Sequence, residues 1–199
     1  MTTHLPQQSI PQQARRYAST GVVTIRLLLL WLLAFSASGT TTESIEDGVK
    51  AAFLYKFADY VDWPETRFAD ANTPITIALM DADSIAGELN RIAVGRTAQG
   101  RTLAIKRLRP GESIDGVHIL FIGGTTAPQS GQVLQAVMTH SVLVVTDADG
   151  ALARGSMINF VLIERHLKFE VALDNVEKSG LKLSSRLLAV AQHVHREAR

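Results

Sequence analysis

The chain has 199 residues, 20 Lys+Arg against 19 Asp+Glu for a formal charge of +1, and 46% hydrophobic residues. That length suits one domain with a sizeable core, and the near-neutral balance gives no general electrostatic drive onto nucleic acid or an anionic membrane. Cysteine is absent, which excludes disulfides, thiolate catalysis and Cys-ligated metal.

Residues 1–20 are polar and show no apolar period. From Arg26 the chain turns to the apolar run Leu27–Phe35, followed by the small residues Ser36-Ala37-Ser38-Gly39. A basic flank, a short apolar core and a small-residue exit are the three parts of a secretory signal peptide. The expected layout is a signal peptide over 1–38, cleaved near Ser36 or Ser38, and one α/β domain over 39–199. A retained membrane anchor is the competing reading, although the run falls well short of the roughly 20 residues that span hydrocarbon. Arg15-Arg16 fits a twin-arginine signal poorly, since it lies far from the apolar core. Residues 1–38 hold three arginines and no acid; the remainder carries 17 basic against 19 acidic residues, a formal charge of −2.

In the mature part, Ser44 followed by Glu46 and Asp47 reads as a helix start, with acids complementing the helix dipole. Val49, Ala52, Phe53, Lys56, Phe57 and Tyr60 recur at three- and four-residue steps, a pattern that favours core packing over a ligand box. Trp63-Pro64 should end this helix, because the residue before proline is pushed out of the α region. Strands are expected over Pro74–Met80, Thr102–Leu108, Val117–Ile122 and Val142–Thr146. Helices are expected over Ile85–Ile92 and around Val133, Leu134, Val137 and Met138. Continuous apolar strands alternating with helices predict a largely parallel sheet covered on both faces.

The C-terminal third reads differently. Ile158, Phe160 and Leu162 alternate with Asn159, Val161 and Ile163. Glu164-Arg165-His166 interrupts, and Leu167, Phe169 and Val171 then alternate with Lys168 and Glu170, which makes a β-hairpin. A short helical turn follows, stopped at Gly180 by a left-handed cap. Ser184 or Ser185 should cap a final helix whose apolar stripe is Leu187, Leu188, Val190, Ala191 and Val194. The predicted fold is therefore a single α/β domain, a largely parallel sheet flanked by helices, with a C-terminal antiparallel β-hairpin at its edge and a capping helix.

Chemistry is harder to find. The rim loops Asp81-Ala82-Asp83, Gly123-Gly124-Thr125-Thr126 and Asp147-Ala148-Asp149-Gly150 lie where α/β sheets bind ligands. Four carboxylates there could hold a hard cation, but caps and turns explain the same residues better. Gly123-Gly124 lacks the spacing of a phosphate loop. His193 and His195, two apart on the expected helix, would diverge and share no ion. His118 reads as a hydrogen-bonded core residue, and no Gly-x-Ser-x-Gly elbow supports a serine nucleophile. No catalytic residue, metal or cofactor is expected. Six basic residues and no acid lie between Arg91 and Arg109; Arg96 and Arg101 within that run are candidates for contact with an acidic surface or small anion.

Two segments resemble the YfiR/HmsC-like family of periplasmic proteins. One is Lys50-Ala51-Ala52-Phe53-Leu54-Tyr55-Lys56-Phe57 running into Val61-Asp62-Trp63-Pro64. The other is Ile158-Asn159-Phe160, the hairpin with Phe169-Glu170, and Ser179-Gly180-Leu181-Lys182-Leu183-Ser184-Ser185-Arg186-Leu187-Leu188. The resemblance covers roughly residues 45 to 191, with Trp63, Pro64, Asn159, Phe160, Gly180, Ser184 and Ser185 as its structural motif. It implies a small periplasmic α/β protein, not an enzyme, that restrains a membrane-bound diguanylate cyclase by binding the cyclase's periplasmic sensor domain, so lowering cyclic di-GMP and biofilm formation. A homodimer is an open arrangement. Relatives often carry redox-sensitive cysteines, which this chain lacks, and Ala172 stands where the family usually has asparagine. The hairpin turn Glu164-Arg165-His166 together with Arg186 is the first candidate for the docking surface, and Arg96 with Arg101 the second. A periplasmic small-ligand carrier of one α/β lobe is the alternative function.

Overall fold

A computed structural model describes residues 40–124, 137 and 140–196 of the chain. The expected signal peptide lies outside the described residues, as does most of the helix expected around Val133, Leu134 and Met138; Val137 of that helix is buried. Helix α1 (Thr40–Tyr60) begins earlier than Ser44 and leads into strand β1 (Val61–Asp62) and a 3-10 turn, Glu65–Arg67. Then come β2 (Ile75–Met80), α2 (Asp83–Ala93), β3 (Thr97–Ala98), β4 (Arg101–Leu108), β5 (Ile119–Ile122) and β6 (Leu143–Thr146). The C-terminal third contributes a 3-10 turn at Leu152–Arg154, β7 (Ile158–Ile163), β8 (His166–Ala172), α3 (Leu173–Lys178), β9 (Lys182–Leu183), α4 (Ser185–Val190) and β10 (His193–His195).

Eight strands form one sheet in the order β10-β8-β7-β6-β5-β2-β4-β3. The five central strands, β4-β2-β5-β6-β7, run parallel to one another. This is a doubly wound order: the chain steps from β2 to β4 on one side, then returns to β5 on the other. Strands β5 and β6 are buried at every residue, which is why they read as unbroken apolar runs rather than alternating ones. The hairpin β7–β8 is antiparallel, from Ile158↔Val171 to Ile163↔His166.

The final helix differs from the sequence reading. It stops at Val190, leaving Val190 64% exposed, and the chain re-enters the sheet as β10, parallel to β8. The hairpin is therefore not the edge of the sheet. The Gln192 N–H donates to the Phe169 carbonyl at 2.8 Å, so a backbone group that would have stayed unpaired on β8 is satisfied. Because β10 is a strand, His193 and His195 share a side instead of diverging, with ring centroids 4.5 Å apart.

Helix α1 packs through Ala51, Leu54, Phe57, Ala58 and the adjoining Val61, all fully buried. The expected stripe is the margin of this face, since Ala52 and Lys56 are exposed. Its rings still reach the core. Phe53 and Phe57 meet Phe160 and Phe169 of the hairpin at centroid distances of 5.3 to 6.0 Å, in the offset and edge geometries that aromatic rings prefer.

Candidate functional site

The two family-like segments meet in space. Val61 pairs with Leu183 and Asp62 with Lys182, so β1 and β9 make a separate two-stranded antiparallel sheet. The Ser184 N–H adds a bond of 2.9 Å to the Tyr60 carbonyl. Trp63 donates its indole N–H to the His118 carbonyl at 3.2 Å, and the Pro64 carbonyl accepts from Arg67 to open the 3-10 turn. At the other partner, Gly180 takes φ +75°, Ser184 Oγ accepts from the Leu187 N–H at 3.3 Å, and Ser185 opens α4. These motif residues hold one end of α1 against the C-terminal segment.

Asn159 and Phe160 face opposite sides of β7. Phe160 joins the aromatic cluster. Asn159, 5% exposed, accepts at Oδ1 from the Thr146 hydroxyl (2.7 Å) and from the Ala148 N–H (3.1 Å), so it ties the hairpin to the loop after β6.

Beyond Phe160 the hairpin leaves the core. Leu162 is 60% and Ile163 37% exposed, and Glu164, Arg165 and His166 are exposed as well. The connection has two residues, Glu164 at φ 49° and Arg165 at φ 64°. Such mirror-image turns match strand twist but favour Asn-Gly, because side chains in the left-handed region cost about 1–2 kcal/mol per residue. The tip is thus a firmly paired support that shows two aliphatic side chains and keeps charged residues in a strained turn. Arg186 is exposed in the first turn of α4.

The Arg91–Arg109 run does not form one patch. Arg91 pairs with Glu88 and Arg107 with Asp83. Arg96 lies over the Tyr55 ring at 5.7 Å. Arg101 donates to the carbonyls of Asp70, Ala71 and Thr73 and covers the Phe68 ring at 3.9 Å, which fixes the loop before β2.

Thr125 and Thr126 of the expected rim loops lie outside the described residues; the described part of the carboxyl rim is occupied by the protein itself. The Gly123 N–H donates to the Met80 carbonyl at 3.0 Å, and a Cβ on Gly123 would sit 2.8 Å from the Asp81 carbonyl oxygen. The crevice between β2 and β5 is closed by backbone. Asp147 accepts from the Gly124 N–H at 3.0 Å and from Lys50 at 2.8 Å, and Lys50 also pairs with Glu46 at 2.9 Å. Although burial alone would lower it, the Lys50 pKa is raised by these two carboxylates. Ser84 donates to Asp47 of α1 at 2.5 Å. Among the described residues, no group of three or more His, Cys, Asp or Glu is placed to hold a metal ion.

His118 is the hydrogen-bonded core residue that the sequence suggested, but the cluster of Phe68, Arg67 and Arg101 around it was not legible beforehand. His118 is 1% exposed. Its Nδ1 accepts from the Thr76 N–H at 3.1 Å, so the neutral ring carries its proton on Nε2, which has no partner among the described residues. The ring stacks on Phe68 at 4.7 Å. Burial, followed by the positive charges of Arg67 and Arg101, pushes its pKa down to about 4.

The strand order defines a doubly wound α/β domain, and among the described residues its hairpin tip is exposed. The chain belongs to the YfiR/HmsC-like family, whose profile matches residues 47–192. It is a family of periplasmic regulators rather than of enzymes. No individual curated protein matches the sequence. Among the described residues, no helix is long and apolar enough to cross a membrane.

Proposed function

We propose that this protein is exported by its N-terminal segment and restrains an inner-membrane diguanylate cyclase by binding the cyclase's periplasmic domain through the tip of the β7–β8 hairpin. Binding one state of the partner better than another would hold the cyclase inactive, to the extent of that difference in affinity. The hairpin tip carries this reading. The domain gains nothing in its own core from Leu162 and Ile163 at the end of a strained turn, whereas a partner that clasps the tip can cover Leu162 on one face and Ile163 on the other and pair with Arg165. The basic run is the weaker candidate, because Arg101 is already committed to the loop before β2.

The test compares two double charge reversals. Arg165→Glu with Arg186→Glu should raise cyclic di-GMP at normal protein abundance and weaken capture of the purified periplasmic domain. Arg96→Glu with Lys106→Glu, both remote from the tip in sequence, is the matched control. A silent hairpin variant beside a derepressed control would move the docking surface to the neighbourhood of Arg96 and Lys106. Mass spectrometry of periplasmic protein should find the mature chain beginning near Gly39; an intact N-terminus in the membrane fraction would contradict export by cleavage.

A further inference from the structure

Strand β10 brings together side chains that a helix would have kept apart. His193 and His195 alternate with Val194, so both rings leave the same side of the strand, with centroids 4.5 Å apart and planes inclined by 51°. In register, His193 stands opposite Glu170 of β8, which therefore points to that side too, and the Glu170 carboxylate lies 3.3 Å from Nε2 of His195. The backbone beneath the pair is held on both sides of it. Val194 and His195 pair with Val171 and Ala172, and the Gln192 N–H is bonded to the Phe169 carbonyl at 2.8 Å. Both histidines are exposed, so an ion can reach them from solvent.

The carboxylate decides which nitrogen is left to bind. An ionised carboxylate only accepts, so the His195 nitrogen that faces Glu170 carries a proton, and the lone pair of the neutral ring sits on Nδ1. A ring that donates one N–H to a carboxylate and offers its other nitrogen is the usual arrangement of a metal-bound imidazole, because the carboxylate fixes the ring's orientation. Two nitrogens that share one ion at about 2.0–2.1 Å each lie within about 4 Å of one another. Exposed rings 4.5 Å apart reach that spacing by turning about their side-chain bonds. Imidazole nitrogens suit Cu2+, Ni2+ and Zn2+ rather than Mg2+ or Ca2+, with Cu2+ held most tightly. Arg196, next in the chain, pairs with Glu177 at 4.0 Å.

We propose that His193 and His195 chelate a divalent transition-metal ion at this edge of the sheet, with Glu170 as the positioning residue that orients His195 and with water in the remaining coordination positions. Such a site has two protein ligands and is open to solvent, unlike the closed centres of three or four ligands, and no cluster of that larger kind occurs among the described residues. The rigid strand supplies both nitrogens in advance, which reduces the ordering cost of binding. The site stands independently of the docking proposal, and its test needs no cyclase.

The test is an NMR titration of the full mature chain with Cu2+, whose unpaired electron broadens nearby amide resonances, together with calorimetry for affinity. Signals of residues 193–195 and of the facing residues 170–172 should broaden first, and Ni2+ and Zn2+ should bind more weakly than Cu2+. His193→Ala and His195→Ala should each weaken Cu2+ by at least about tenfold, since either leaves a single ligand. Glu170→Ala should weaken it by about tenfold, the loss expected when the partner that orients a ligating histidine is removed. The map of broadening is read on the unaltered chain, so it decides even where a variant fails to fold. Broadening centred on His166, equal broadening at several histidines (an adventitious ion only), or wild-type affinity in either histidine variant would overturn the site, and wild-type affinity in Glu170→Ala would overturn the role given to Glu170.

Discussion

The buried imidazole of His118 makes a quantitative statement about acid stability. Its pKa falls from an ordinary 6.5 to about 4 on folding. Between those values the unfolded chain binds more protons than the folded one, so stability rises with pH across the window and is lost as pH falls through it. At 1.36 kcal/mol per unit, the loss relative to neutral pH is about 2 kcal/mol at pH 5 and about 3 kcal/mol by pH 4. His118→Asn removes the titrating ring and offers an amide oxygen near the place of Nδ1 for the Thr76 N–H. The variant should be less stable at neutral pH, having lost the stack on Phe68, but it should decline less on acidification. Urea unfolding followed by circular dichroism at pH 7, 6, 5 and 4 measures both curves. If wild type and variant fall in parallel, His118 is not held neutral and the reasoning fails.

Replacing Glu164-Arg165 by Asn-Gly should stabilise the domain by about 1–2 kcal/mol, since both positions are left-handed; an unchanged urea midpoint would mean that the turn carries no strain. Asn159→Leu should cost about 1–3 kcal/mol by leaving the Ala148 N–H and the Thr146 hydroxyl without their acceptor, read from the same unfolding curves. Phe57→Ala should cost about 3–5 kcal/mol, because the ring is fully buried among Phe53, Phe160 and Phe169; a loss under about 1 kcal/mol would show that the cluster repacks around the gap.

The sequence by itself determined what short-range chemistry controls. Strands β5 and β6 were legible because a strand buried on both faces must be apolar throughout. The hairpin was legible from its alternation, and Gly180 and a cap at Ser184 or Ser185 from the demands of helix ends. Tertiary structure decided what depends on partners distant in the chain. The pairing of Val61-Asp62 with Lys182-Leu183 rests on two residues a side, too few to leave a period. Val194 continues the spacing of Leu187 and Ala191 that a helix would fit, but the free edge of β8 offers backbone hydrogen bonds that a third turn of isolated helix does not. Arg101 looked like part of a basic surface until the fold brought three carbonyls and the Phe68 ring to it.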